Sequence, residues 1–243
     1  PILNTVSFNK LEGWRFGIGL RTNDKMCSWA QISAHIAYGL RDKKVKGDVG
    51  VRFLVDKRPR QIISASYTRD VSELSKTSDL LAADNILSII INRRKPDVRL
   101  LYFEEAKLGY SIEYKQGMSF GIAFQNRYIK QGLVPFRYAL TNKELVTDTL
   151  HSLRQSELII NARFAIGEKY INKNSLFRSS INTSKVPVIQ FEYVYGINKF
   201  LGSQFNYHKL TLSYAQIIPI RTIGRFEMHI QAGKVFGTVQ FLL

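Results

Sequence analysis

Proton transfer and metal ligation would fall first to the four histidines, His35, His151, His208 and His229, and no two of them stand at a metal-ligand spacing. Glu104 and Glu105 are adjacent carboxylates, but neighbours on a strand point to opposite faces and cannot share a proton. The glycines of "FGIGL" are two apart inside an alternating run, with no Lys-Ser/Thr and helix after them, so they form no nucleotide loop. Cys27 is the single cysteine, which rules out an intrachain disulfide and a cysteine metal cluster. No nucleophile, base and orienting group can be assembled. The sequence therefore offers no catalytic, cofactor-binding or metal-binding residue, and the expectation is a protein that is not an enzyme and takes no cofactor.

Charge is the stronger chemical signal. Thirty-five Lys and Arg stand against 19 Asp and Glu in 243 residues, a net charge of +16. Such a balance favours anionic partners. Part of it lies in turn-like runs, "RDKKVK" (41–46), "DKRPR" (56–60) and "NRRKPDVR" (92–99), which can meet solvent or the phosphates of a lipid surface. Nucleic-acid binding requires stacking aromatics beside the basic groups. Here the aromatics share the apolar positions, so no nucleic-acid partner is expected.

The elements that position these residues are alternating segments. They recur near 14–22, 30–41, 47–55, 60–69, 85–93, 98–115, 118–129, 134–141, 155–167, 188–198, 207–218 and 223–235. That is about twelve strands on the order of ten residues, long enough to cross roughly 23 Å at a 45° tilt. Short turns such as "DKRP" (56–59) and "KQG" (115–117) join most of them. In "NKELVTDTLHSLRQS" (142–156) Asn142 can cap a small helix with Leu145, Val146, Leu150 and Leu153 as its apolar stripe. The longer connection "VSELSKTSDLLAAD" (71–84) could also hold a short helix, and 168–187 reads as a polar, irregular connection. The richest apolar run, "ILSIII" (86–91), is far short of a membrane helix. The start has no signal-peptide character, and both ends look cut, so the chain reads as one domain, 1–243, taken from a longer protein.

Parity separates two faces. Trp14, Phe16, Ile18 and Leu20 share one with Ile36, Phe53, Leu108, Ile122, Ile160, Phe191, Leu212 and Ile230. The other carries Arg15, Arg21, Arg52, Glu113, Arg127, Arg137, Arg163, Glu192 and Glu227, with His35, His229 and several glycines. Long strands with this much apolar face need a cover, and lipid supplies one without further protein. Trp14, Tyr38, Tyr67, Tyr114, Tyr128, Tyr138 and Tyr195 fall near strand ends, as an interfacial girdle would. Glycines on the polar face suit the concave side of a curved sheet. The expected fold is thus all-β, an antiparallel transmembrane β-barrel seen as about twelve strands of a larger ring, with an unpaired edge at each end. The charged set above would line its lumen, which, being basic, would favour anions. The alternative is a large soluble ligand-binding β-sandwich or a lipocalin-like barrel, with the same alternation turned inside out.

"GWRFGIGLRTN", "AYGLRDKKVKGDVGVRF", "PRQIISASYTRDVSEL", "PVIQFEYVYGINKFLGSQFNYHKLTLSYAQ" and "GRFEMHIQAGKVFGTVQFLL", in that order, carry a resemblance. The chain resembles the C-terminal barrel of uncharacterised outer-membrane proteins of Bacteroidetes-type bacteria that begin with a carboxypeptidase-regulatory-like domain. That family is distantly similar to the surface-antigen and outer-membrane-insertase barrels. The resemblance implies a bacterial outer-membrane location, contact with outer-membrane lipid and lipopolysaccharide, and periplasmic or surface envelope proteins as partners. It also implies that an N-terminal domain and the closing strands lie outside this piece. The family has no established activity, so no functional residue is carried over, and the insertase loop motif, Arg-Gly before an aromatic, is absent. The functions that follow are a component of envelope protein assembly or transport, or a simple pore.

Overall fold

The computed structural model describes residues 6–9, 11–23, 25–73, 100–115, 117–132, 138–140, 152–171, 176, 179–180, 186–220, 224–237 and 240–242. Fifteen strands occur in these residues. They are β1 (Val6–Asn9), β2 (Gly13–Arg21), β3 (Ala30–Gly39), β4 (Val45–Lys57), β5 (Arg60–Glu73), β6 (Leu100–Lys115), β7 (Met118–Lys130) and β8 (Tyr138–Leu140). They continue with β9 (Ser152–Phe164), β10 (Tyr170–Ile171), β11 (Ser179–Ser180), β12 (Val188–Gly196), β13 (Tyr207–Ile220), β14 (Gly224–Gly237) and β15 (Gln240–Leu242). Eleven of them form one sheet in the order β1-β2-β3-β4-β5-β6-β7-β9-β12-β13-β14, and every pair is antiparallel. The order follows the chain, so the sheet is an up-and-down meander. The pairs β10-β11 and β8-β15 stand apart from it.

The strands are long because alternation persists without a proline or turn cluster to stop it. β7 has 13 residues and β6 has 16; thirteen residues tilted near 45° cross roughly 30 Å. Turn chemistry closes the hairpins. The Asp56 carboxylate accepts the backbone N–H groups of Lys57 (2.5 Å) and Arg58 (3.1 Å) at the β4–β5 tip. Gly117 takes a positive φ of 81° between β6 and β7, where a side chain would be strained.

The register keeps the two faces apart from strand to strand. One cross-strand row runs Ile32–Val51–Ala65–Leu108–Phe124–Leu158–Tyr195. The next runs Gln31–Arg52–Ser64–Gly109–Ala123–Ile159–Val194 and lies on the opposite face. The first face is apolar and open: Leu20 is 73 % exposed, Ile18 66 %, Leu108 57 % and Ile122 45 %. The second holds the buried residues, among them Ile62, Ala123, Leu153, Ile159, Val194 and Tyr207, with Phe205 of the β12–β13 connection packed against them. The sheet is therefore covered on its polar side and bare on its apolar side, the reverse of a water-soluble sheet.

Side-chain bonds on the polar face span more than one strand. Arg15 of β2 reaches Asp70 of β5, a separation of roughly 14 Å in a flat sheet. Tyr207 of β13 donates to Glu157 of β9 across β12. Such contacts require a sheet curled toward this face. Crowding agrees: a Cβ on Gly196 would lie 2.5 Å from the Tyr207 ring, and one on Gly39 2.4 Å from Asp42 Oδ1.

Several sequence expectations change. Leu153 belongs to β9, not to a helix over 142–156; it alternates with outward Arg154 and is buried on the polar side. The first part of that helix, 142–151 with Asn142, Leu145, Val146 and Leu150, the strand expected at 85–93 and most of the one at 134–141 lie outside the described residues, while 152–156 are strand. β1 was not foreseen, being only four residues long. β5 runs on to Glu73, which leaves Tyr67 in mid-strand instead of at an end. "QIISASYTR", ambiguous by sequence, sorts into outward Gln61, Ile63 and Tyr67 and inward Ile62, Ser64 and Ser66. Among the described residues no helix is long and apolar enough to cross a membrane, which says nothing of strands.

Candidate functional site

The polar face carries paired charges at both ends and between them. Its most buried group sits where β2 begins and β3 turns into β4. Glu12, just before β2, is wholly buried, and Lys46 of β4 is 3 % exposed. Lys46 Nζ donates to Glu12 and, at 2.6 Å, to Asp42 Oδ2 in the β3–β4 turn. Tyr102 of β6 donates its hydroxyl to the same Asp42 oxygen at 2.8 Å. Lys44 Nζ lies 3.9 Å from the centre of the Tyr102 ring. Arg15 holds Asp70 with two hydrogen bonds, 2.6 and 3.0 Å, and stands 3.6 Å from Glu12. Two carboxylates thus share one buried ammonium, and the Tyr102 hydroxyl and Arg15 supply further donors to them, so no charge is stranded. For Asp42 burial pushes the carboxyl up, but the Lys46 and Tyr102 bonds, the Lys44 backbone N–H and the Lys46 charge outweigh it and hold it below the usual range.

Farther along the same face His35 faces Asp48 at 3.4 Å, and Arg127 donates to Glu105 at 2.7 Å. Lys209 lies 3.7 Å from Glu192. At the opposite end Arg60 stands 3.5 Å from Glu113, and Arg163 grips Glu168 with bonds of 2.7 and 3.0 Å. Tyr170 donates to Glu168 at 2.5 Å; burial first, and then Glu168, raise its hydroxyl pKa.

The register puts Arg15, Arg21, Arg52, Glu113, Arg127, Arg163, Glu192 and Glu227 together on this face. Arg137 lies outside the described residues. Glu227 pairs with Arg225, at 2.7 Å on the exposed strand β14. Arg52 donates to Gln31 at 3.3 Å and has Arg21 and Arg60 as its charged neighbours. Sequence reasoning missed Glu12, Asp42, Lys46, Asp70 and Tyr102. Lys46 and Asp70 had the right parity, but nothing local marks Lys46 as a partner of Glu12, 34 positions away, or Asp70 as a partner of Arg15, 55 positions away.

Trp14, Tyr38, Tyr67, Tyr114, Tyr128 and Tyr195 all fall on the apolar face; the Tyr138 side chain is outside the described residues. Phe53, Tyr110, Phe124 and Phe191 join them in mid-strand, so aromatics run along this face as well as at its margins. Among the described residues no group of three or more His, Cys, Asp and Glu is placed to hold a metal.

The network can fix a curved wall and present charge along it. No curated protein matches the chain. Residues 1–241 match the C-terminal domain of a family of unknown function (DUF5686), and with nearly the whole chain covered the protein belongs to that family.

Proposed function

We propose that the chain forms the wall of a bacterial outer-membrane β-barrel, with its apolar face in lipid and its ion-paired face turned to the interior, and that it serves envelope protein assembly or transport. One observation carries the barrel reading. From β2 to β13 the large apolar residues of one face are open to the surroundings, while the opposite face holds the charges and the buried residues and curls inward; β14, at the edge, is open on both faces. A bare apolar face of this extent is far larger than the patches soluble monomers expose. Strands of nine to sixteen residues suit a bilayer crossing. Lipid, including lipopolysaccharide, is the first partner, and periplasmic or surface proteins are the second.

The simple pore is the second reading, favoured by Arg21 and Arg52, which have no carboxylate partner among the described residues. The first is preferred because the interior side is occupied. Phe205 folds in from the β12–β13 connection onto Leu153, Ile159, Val194 and Tyr207. Fractionation of cells making the full-length protein, with a gel run before and after boiling, tests the barrel. Recovery with the outer membrane and faster migration before boiling are expected. Recovery in the soluble fraction without detergent overturns it. Planar-bilayer recordings then separate the two functions, since an open pore conducts steadily and an occupied barrel does not.

A further inference from the structure

The apolar face carries very few charges. Among the described residues its strands contribute Arg69, Glu104, Lys130 and Arg154 toward one end, Lys234 at the edge strand β14 in the row of Ile122 and Ile160, and Asp56 at the β4–β5 tip at the other end. Four positions form one cross-strand row, Arg69–Glu104–Tyr128–Arg154, on β5, β6, β7 and β9. On the other side of that row the face is apolar: Leu108, Tyr110, Ile122, Phe120 and Ile160 are all open. The row thus marks a boundary between an apolar band and a charged margin.

A cavity of about 310 Å³ opens at that boundary, lined by Tyr67, Glu104, Ala106, Asn126, Tyr128, Arg154 and Leu201. Its construction is specific. The neighbouring row is Tyr67–Ala106–Asn126–Ser156, and the small Ala106 leaves the floor low between two larger side chains. The β12–β13 connection supplies a wall. The Ser156 hydroxyl donates to the Phe200 carbonyl at 2.9 Å, and Phe200 meets Phe124 edge-on at 5.6 Å, which brings Leu201 to the cavity. Gly202, at φ 82°, packs against Arg154; a Cβ there would lie 3.1 Å from Arg154 Cδ.

The electrostatics select a charge type. Arg154 and Lys130 each lie 4.9 Å from the centre of the Tyr128 ring. Neither has a carboxylate partner among the described residues, whereas Glu104 is engaged by Arg69 at 3.4 Å. Two positive charges therefore remain beside an aromatic wall at the edge of the apolar band. A ligand with a phosphate above and hydrocarbon below complements both halves.

We propose that this cavity binds the phosphate headgroup of an anionic membrane lipid, with Arg154 as its main ligand and Lys130 as a second. The acyl chains lie down the apolar face past Leu108 and Phe124. The inference rests on the membrane reading above and adds a specific lipid site to it.

The test uses the full-length protein in detergent, equilibrated with mixed micelles of phosphatidylglycerol and phosphatidylcholine, with retained lipid counted by native mass spectrometry. Wild type is expected to retain phosphatidylglycerol over phosphatidylcholine. Arg154→Gln is expected to weaken that retention about tenfold, the loss of a charged hydrogen bond, while Arg154→Lys keeps most of it. Ala106→Phe, at an exposed position, fills the floor without touching a charge and is expected to give the same loss. The boiled and unboiled gel confirms that each variant folds. Unchanged retention in folded Arg154→Gln and Ala106→Phe overturns the site and leaves the barrel standing. Displacement of the lipid by inorganic phosphate alone identifies a free-phosphate site and also overturns it. Soluble wild-type protein that needs no detergent overturns the membrane reading itself.

Discussion

Arg15 on β2 and Asp70 on β5 meet through two parallel hydrogen bonds, of 2.6 and 3.0 Å, with two strands between them. Because the pair joins strands that are not neighbours, it holds curvature and not only register. Both side chains are mostly buried, so removing one partner strands the other's charge. Arg15→Gln is expected to cost about 2 kcal/mol in urea unfolding of the protein folded in detergent or lipid. The double variant Arg15→Met/Asp70→Leu should cost less than either single change. A cycle in which the two changes simply add would show the pair to be energetically idle.

The Asp42 carboxyl titrates below its usual range in the folded protein. A lowered folded value means that Asp42 stabilises the fold above its unfolded pKa and loses that contribution as pH falls through the folded one. Asp42→Asn should therefore lower the unfolding midpoint at neutral pH, and its gap from wild type should narrow in acid below the usual carboxylate range. A gap independent of pH would assign the loss to packing alone.

Ile122 lies in mid-strand on β7, on the apolar face. In lipid, Ile122→Arg should destabilise folding into vesicles by about 2–4 kcal/mol. On a water-exposed face the same change should stay within about 0.5 kcal/mol. Measuring the folding equilibrium of wild type and Ile122→Arg decides which medium covers the sheet.

Gly196 makes room for the Tyr207 ring, whose hydroxyl reaches Glu157 across β12. Gly196→Ala should displace the ring and cost about 1–3 kcal/mol by overpacking. Tyr207→Phe should lose less, because the ring stays in place. If the alanine variant melts with wild type, the polar face is looser than its contacts indicate.

The assignment of residues to faces was legible because strand periodicity is local: the parity of Arg15, Arg52, Arg163 and Glu192 fixes their side once the strand is recognised. What the residues meet was not legible. Lys46 finds Glu12, and Asp70 finds Arg15, through the curl of the whole sheet, which no short window encodes; only the Lys46–Asp42 contact is local, four residues apart across the β3–β4 turn. Leu153 misled because Leu145, Val146, Leu150 and Leu153 satisfy a helical stripe, while Leu153 also satisfies the alternation of β9. Tyr102 was invisible for a different reason. Its register places it with the apolar set, yet its hydroxyl is engaged by a turn carboxylate from another hairpin.

Among the described residues the sheet has eleven strands, each antiparallel to the next. An odd count makes the first and last run in the same direction. β1 and β14 therefore cannot meet head to tail, and joining them directly would create the one parallel seam in the wall. An antiparallel ring built on these strands needs an odd number of additional ones, or a β14 that bypasses the four residues of β1 and pairs with β2. The arithmetic of direction thus restricts which rings this wall can belong to, whatever fills the gap.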